Sequence, residues 1–170
     1  MEASVQVQGV KETLKILKQV DPELRKALMK EMRTAAKPLV QEIQRELPVQ
    51  APLSGMDNEG RLGWNSTRVK RNVKLKVGGK KVRSQRGQEF PLLRVTINDA
   101  AAAMFDMAGR GGNGNTPQGQ ALIRNLSRFG APTRTAYPSA EKRLQEVTRG
   151  VLEAIDKAAA QIYREITRVN

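Results

Sequence analysis

The sequence predicts an α+β fold, a small antiparallel sheet with a basic hairpin packed against two long helices. Three observations point there. Two apolar stripes recur at spacings of three and four, one over 24–47 and one over 144–169. Between them VKRNVKLKV (69–77) alternates with period two. Gly78-Gly79 then reads as a hairpin turn, and PLLRVTI (91–97) as a further strand. A chain of 170 residues suits one domain, and 1–170 is taken as one, without an internal repeat.

VQVQG (5–9) reads as a short strand stopped by Gly9. Val10, Leu14, Leu17 and Val20 make a first helical stripe. Asp21 is placed as an N-cap and Pro22 at the first helical position, where its missing N–H costs nothing. Leu24, Leu28, Met32, Ala35, Leu39, Ile43 and Leu47 then form one face, with a kink expected near Thr34 from Pro38. Pro, Gly, Ser and Asn dominate 48–66, a long loop with Trp64 as its packing anchor. In 69–77, Val69, Val73, Leu75 and Val77 face inward and Arg71 breaks the pattern. A tight turn at 78–79 would oppose Lys74 to Arg83 and Lys76 to Lys81. Such like-charge pairs require a looser turn or a counter-anion. Alanine-rich 101–108 is a helix by propensity, and Gln118–Phe129 another, closed by Gly130. The last helix starts at Pro138, its stripe being Leu144, Val147, Val151, Ile155, Ala158, Ile162, Ile166 and Val169.

Composition removes several chemistries. The chain has no cysteine and no histidine, which excludes disulfides, thiol nucleophiles, the usual zinc ligands and the commonest general base. No cofactor, metal site or catalytic residue is expected. MEASVQVQG lacks the apolar core of a secretory signal, and no apolar run reaches the ~18 residues of a membrane span. Charge is the strongest signal. Thirty Lys and Arg against 17 Asp and Glu give +13. Residues 61–94 alone hold eleven basic groups and one acid, Glu89, a net +10. Lys70, Lys74, Lys76, Lys80, Lys81, Arg83 and Arg86 are therefore the candidate contacts to an anionic partner, nucleic acid or an acidic protein. With only Phe90 interleaved, the pattern favours duplex phosphate over stacked single-stranded bases.

GRGGNGNT (109–116) has the spacing of a phosphate loop with Asn115 where the lysine belongs. A helical segment rather than a strand precedes it, and Pro117 follows. The stretch reads instead as a mobile loop ordered by a neighbouring subunit: Gly109, Arg110, Gly111, Gly112, Asn113, Gly114, Asn115 and Thr116. Asp99 and Asp106, with Glu89, faintly resemble a metal-dependent nuclease set, yet Asp99 fits better as the N-cap of the alanine-rich helix.

The order of elements resembles the neck, or tail-completion, proteins of long-tailed double-stranded DNA bacteriophages. The carrying pieces are GVKETLKILKQVDPELRKALMKEMRTAAKPLVQEIQ (9–44), ELPVQAPLSG with GRLGWNSTRV (46–69), FDMAG (105–109) and FGAPTRTAYPSAEKRL (129–144). The insertion at 55–60, the glycine loop and the long last helix depart from the pattern. The resemblance implies a virion protein assembled in the host cytoplasm, a subunit of a homo-oligomeric ring of six. That ring would join the head–tail connector to the tail tube or tail terminator, around genomic DNA in the channel, with no membrane and no catalysis. A free-standing, sequence-nonspecific DNA- or RNA-binding protein of the nucleoid or ribosome type is the alternative, needing the same patch and no ring.

Overall fold

The computed structural model describes residues 4–5, 22–58, 60–78, 82–84, 87–89, 93–112 and 114–169. The expected strand residues 6–9, the helix over 10–20 and the Asp21 cap lie outside the described residues. Five strands and five helices follow in order: β1 (Ser4–Val5), α1 (Pro22–Glu46), α2 (Ser66–Arg71), β2 (Val73–Val77), β3 (Val82–Ser84), β4 (Gly87–Glu89), β5 (Leu93–Ile97), α3 (Ala100–Met107), α4 (Pro117–Leu126) and α5 (Ala136–Val169). Single 3₁₀ turns occupy Ser54–Met56 and Ser127–Phe129. The fold is α+β, with a small sheet packed against helices.

Two compact units are built from interleaved stretches, one from 39–74 and 95–142, the other from 4–38, 75–94 and 143–169. In the second, Leu24, Leu28, Met32 and Ala36 of α1 are buried, as are Val147, Val151, Ala154 and Ala158 of α5. Val77 and Leu93 supply the sheet's share. Each large side chain withdrawn from water there contributes about 1.5–3 kcal/mol. In the first unit the interior is Leu39, Ile43, Leu47, Met56, Val69, Val73, Val95, Phe105 and Leu126, with the small Ala101 and Ala102.

α1 begins at Pro22 as expected and runs unbroken through Pro38. Its buried stripe takes Ala36 rather than Ala35. A Cβ added at Gly150 would lie 2.9 Å from the Ala35 Cβ, so α1 and α5 cross there with almost no side-chain volume between them. On α5 the buried stripe is also rotated from the expected one. Val147 and Val151 are buried, Ile155 is half-buried, and Leu144 is 49% exposed. The helix starts two residues before Pro138, at Ala136.

The hairpin across Gly78-Gly79 does not form. β2 lies beside β5 in a sheet of order β1-β5-β2, and β3 pairs with β4 in a separate antiparallel ribbon. β1 and β5 are antiparallel, Ser4 opposite Arg94 and Val5 opposite Leu93. In the ribbon Val82 faces Glu89, Arg83 faces Gln88 and Ser84 faces Gly87. Lys74 and Arg83 are thus not ladder partners, while Lys81, the expected partner of Lys76, lies outside the described residues. β4, a Gly-Gln-Glu triplet, has no strand propensity to announce it.

The other correction is at 66–71. The alternation attributed to 69–77 starts only at Val73, because Ser66–Arg71 is helical. Asn65 accepts the Arg68 amide at 2.9 Å with its side chain, an N-cap that starts the helix. Arg71 broke the alternation because it is not in the strand.

The Gly150–Ala35 crossing gives a testable outcome. Gly150→Ala gains about 1 kcal/mol of helix propensity but forces two helix-borne methyl groups into one space, an overpacking cost of about 1–3 kcal/mol. We expect a net loss of stability in urea unfolding. Adding Ala35→Gly should recover part of it through a favourable coupling energy between the two sites. Additive effects would mean the backbones do not meet there.

Candidate nucleic-acid interface

β2 alternates as a half-buried strand should. Val73 and Val77 are buried, Leu75 is half-buried, and Lys74 and Lys76 are exposed. Successive side chains of a strand point to opposite faces, so the two lysines share the outer one. Among the described residues neither has an acidic partner.

The other predicted contacts do not gather on that face. Lys70 belongs to α2, is half-buried, and accepts a hydrogen bond at its backbone carbonyl from the Gln44 side chain at 2.9 Å. Arg83 lies in the β3–β4 ribbon, opposite Gln88. Lys80, Lys81 and Arg86 lie outside the described residues. Arg68, nearby in sequence, is engaged structurally: its Nε donates to Asp99 Oδ2 at 2.9 Å and its Nη2 to the Gly63 carbonyl.

The glycine-rich stretch has a local structural explanation. Arg110 N–H donates to the Met107 carbonyl and Gly112 N–H to the Gly109 carbonyl, closing a turn after α3. Gly109 has φ +95°, and an added Cβ would meet Ile123 at 3.1 Å and Pro132 at 3.2 Å. Left-handed backbone and a close approach thus both require glycine there. Thr116 caps α4, its Oγ1 accepting the Gly119 amide at 3.1 Å, and Pro117 takes the first helical position. Gln120 Nε2 donates to the Gly114 carbonyl at 3.4 Å. A helix, α3, precedes this turn where a phosphate loop has a strand. Asn113 lies outside the described residues, and Asn115 is exposed.

The two aspartates that faintly suggested a metal site are both helix caps. Asp99 Oδ1 accepts the Ala101 and Ala102 amides at 3.0 and 3.2 Å, capping α3. Asp106, 2% exposed, turns its carboxylate to the start of α5. Its Oδ1 accepts Thr135 N–H and Thr135 Oγ1–H at 2.7 Å each, and Ala136 N–H at 3.2 Å. A negative charge on the open amides of a long helix is favourable for both hydrogen bonding and dipole. No group of three potential metal ligands occurs among the described residues.

Beside this cap sits Arg134, which sequence reasoning did not single out. Its Nε donates to the Leu126 carbonyl at 3.1 Å. Its Nη1 reaches the carbonyls of Phe105 at 2.8 Å, Ala108 at 3.2 Å and Asp106 at 3.5 Å. Those carbonyls end α3 and α4, where the helix dipoles are negative. Burial lowers the Arg134 guanidinium from its ordinary value, and the Asp106 charge raises it in part. The neighbouring Thr133 holds φ 70°, costly for a β-branched residue, while its N–H donates to the Asp106 carbonyl at 2.5 Å. Phe105 lies under the Arg134 guanidinium at 6.0 Å and takes edge contacts from Trp64 at 5.7 Å and Phe129 at 5.4 Å. Trp64 Nε1 donates to the Pro48 carbonyl at 3.1 Å, which makes it the loop anchor the sequence predicted. The one available signal for Arg134 was a lone arginine between small residues just before a helix.

Two substitutions separate these roles. Asp106→Asn keeps the shape of the cap and removes its charge; the loss of charged hydrogen bonds should cost about 1.5–3 kcal/mol in chemical unfolding. A change of a few tenths would mean the cap is not what holds α5. In the glycine turn, Gly109→Ala should lower stability by about 1–2 kcal/mol. Gly111→Ala, which meets open space, should stay within about 0.5 kcal/mol. Equal effects would remove the structural role assigned to Gly109.

No family model matches the chain, and no curated protein and no solved structure matches it.

Proposed function

We propose that the protein is a non-catalytic assembly subunit of a phage neck. In this reading it forms a homo-oligomeric ring between the head–tail connector and the tail tube or tail terminator, and meets the phosphates of DNA in the channel. The observation that carries the contact is the outer face of β2. It presents Lys74 and Lys76, exposed and without acidic partners among the described residues, over buried Val73 and Val77. They lie within a stretch that bears no acid from residue 60 to residue 88. An unopposed cationic strand face recognises charge rather than base sequence. Two further observations support a structural role. Asp99 and Asp106, the carboxylates nearest to a catalytic pattern, are both taken up in helix caps. The resemblance of 9–44, 46–69, 105–109 and 129–144 to the neck family supports the same reading.

Binding to duplex DNA should be weak, independent of sequence and steeply salt-dependent. If about five phosphates are met, log K should fall with a slope near −4.5 against log salt. Lys74→Gln with Lys76→Gln should flatten that slope by about 1.8 while leaving the unfolding midpoint unchanged. An unchanged slope rejects the DNA contact. Quantitative mass spectrometry of purified virions tests the ring: a fixed copy number consistent with a ring is expected. Absence from virions combined with intact DNA binding would favour the free-standing nucleic-acid binder.

A further inference from the structure

α5 carries a second apolar stripe that its own unit does not bury. Leu144, Thr148, Leu152, Ile155, Ala159 and Ile162 follow one another at steps of four, four, three, four and three, so they line one face of the helix. That face is rotated from the buried Val147, Val151, Ala154 and Ala158. Leu144 is 49% exposed, Leu152 44% and Tyr163, at the rim, 75%. Ile155 and Ile162 are half-buried. Large aliphatic side chains held this far in water on a regular helix are suited to a helical partner.

The charges beside the stripe indicate which partner. Arg149 and Asp156 are both exposed and lie two turns apart on the same flank. When two identical helices pack antiparallel, each flank faces the same flank of its partner. A two-fold axis passing between residues 152 and 153 then sets Arg149 against the second copy's Asp156, and Asp156 against the second copy's Arg149. The same axis brings Leu152 to within one residue of the level of the second copy's Leu152, and Leu144 to within one residue of the level of the second copy's Ile162. Arg149 already approaches Glu153 at 4.0 Å, an exposed pair worth little, so it does not prevent the new contact. Residues 143–170 hold five basic and four acidic groups, a net +1 in a chain of +13. Two copies of a strongly cationic protein can approach along such a nearly neutral helix without the repulsion they meet elsewhere.

We infer that the unassembled protein pairs with a second copy through this face of α5, antiparallel and two-fold, centred on Leu152. A two-fold contact closes on itself, whereas a ring contact is heterologous. The inference is therefore separate from the neck reading and does not rest on it.

Sedimentation equilibrium of the purified full chain at moderate salt tests it. A dimer is expected, and Leu152→Asp should yield a folded monomer by circular dichroism. Arg149→Asp and Asp156→Arg should each weaken the dimer by about tenfold or more, since each disturbs two symmetry-related pairs. The double variant should restore it. Because the chain has no cysteine, Leu152→Cys offers a single thiol, and oxidation should trap a covalent dimer. A monomer at high micromolar concentration overturns the inference. So does a dimer indifferent to Leu152→Asp, a charge swap that fails to restore association, or a higher oligomer that Leu152→Asp dissolves.

Discussion

The carboxylate of Asp106 and the guanidinium of Arg134 hold together the ends of three helices. Every helix leaves open amides at its start and open carbonyls at its end, and burying them unpaired is expensive. Here Asp106, at the end of α3, closes the start of α5. Arg134, just before α5, closes the ends of α3 and α4. One acid and one base thereby satisfy six backbone groups that apolar packing alone would leave stranded. Asp106 is buried and Arg134 half-buried beside it, and the carboxylate's charge offsets part of the desolvation that the guanidinium meets. Phe105 completes the arrangement by stacking under the guanidinium while its own carbonyl is held above.

This economy explains why polar residues that look chemically available are not. Asp99 and Asp106 are caps. Buried Glu42 receives Arg45 at 2.6 Å and Lys142 at 3.6 Å, an ion cluster between the last turn of α1 and the first turns of α5. Carboxylates committed to such partners hold a chain in shape, and the cations without such partners are left to face outward. The separation of tasks is visible along α2 and β2. Arg68 is tied to Asp99, whereas Lys74 and Lys76, on the outward face of the strand, have no acidic partner among the described residues.

The two long helices were legible in the sequence because a 3.6-residue stripe sustained over six or more turns has few competing explanations. The Asp99 cap and the Trp64 anchor were legible for a similar reason: each is a local rule involving one residue type. The hairpin was misread because Gly78-Gly79 satisfies a turn rule, while strand pairing is a long-range choice that no short window contains. Charge repulsion was the warning, and the fold heeds it by giving β2 to β5 and β3 to β4. Arg134 was missed because its partners are backbone carbonyls, which leave no trace in side-chain spelling. The small rotation of the α5 stripe, which keeps Val147, Val151 and Ala158 but exposes Leu144, was missed because two adjoining apolar faces on one helix merge into one list of positions.

The crossing at Gly150 and Ala35 has a mechanical meaning. Where two helices touch through a missing side chain, the larger residues on either side, such as Val147 and Val151 on one helix and Met32 on the other, flank a notch. Sliding α5 along its axis would require those side chains to climb over the opposing methyl. The pair therefore acts as a detent. A pull applied along the last helix is passed to α1 as displacement of both helices together, and is not absorbed as slippage between them.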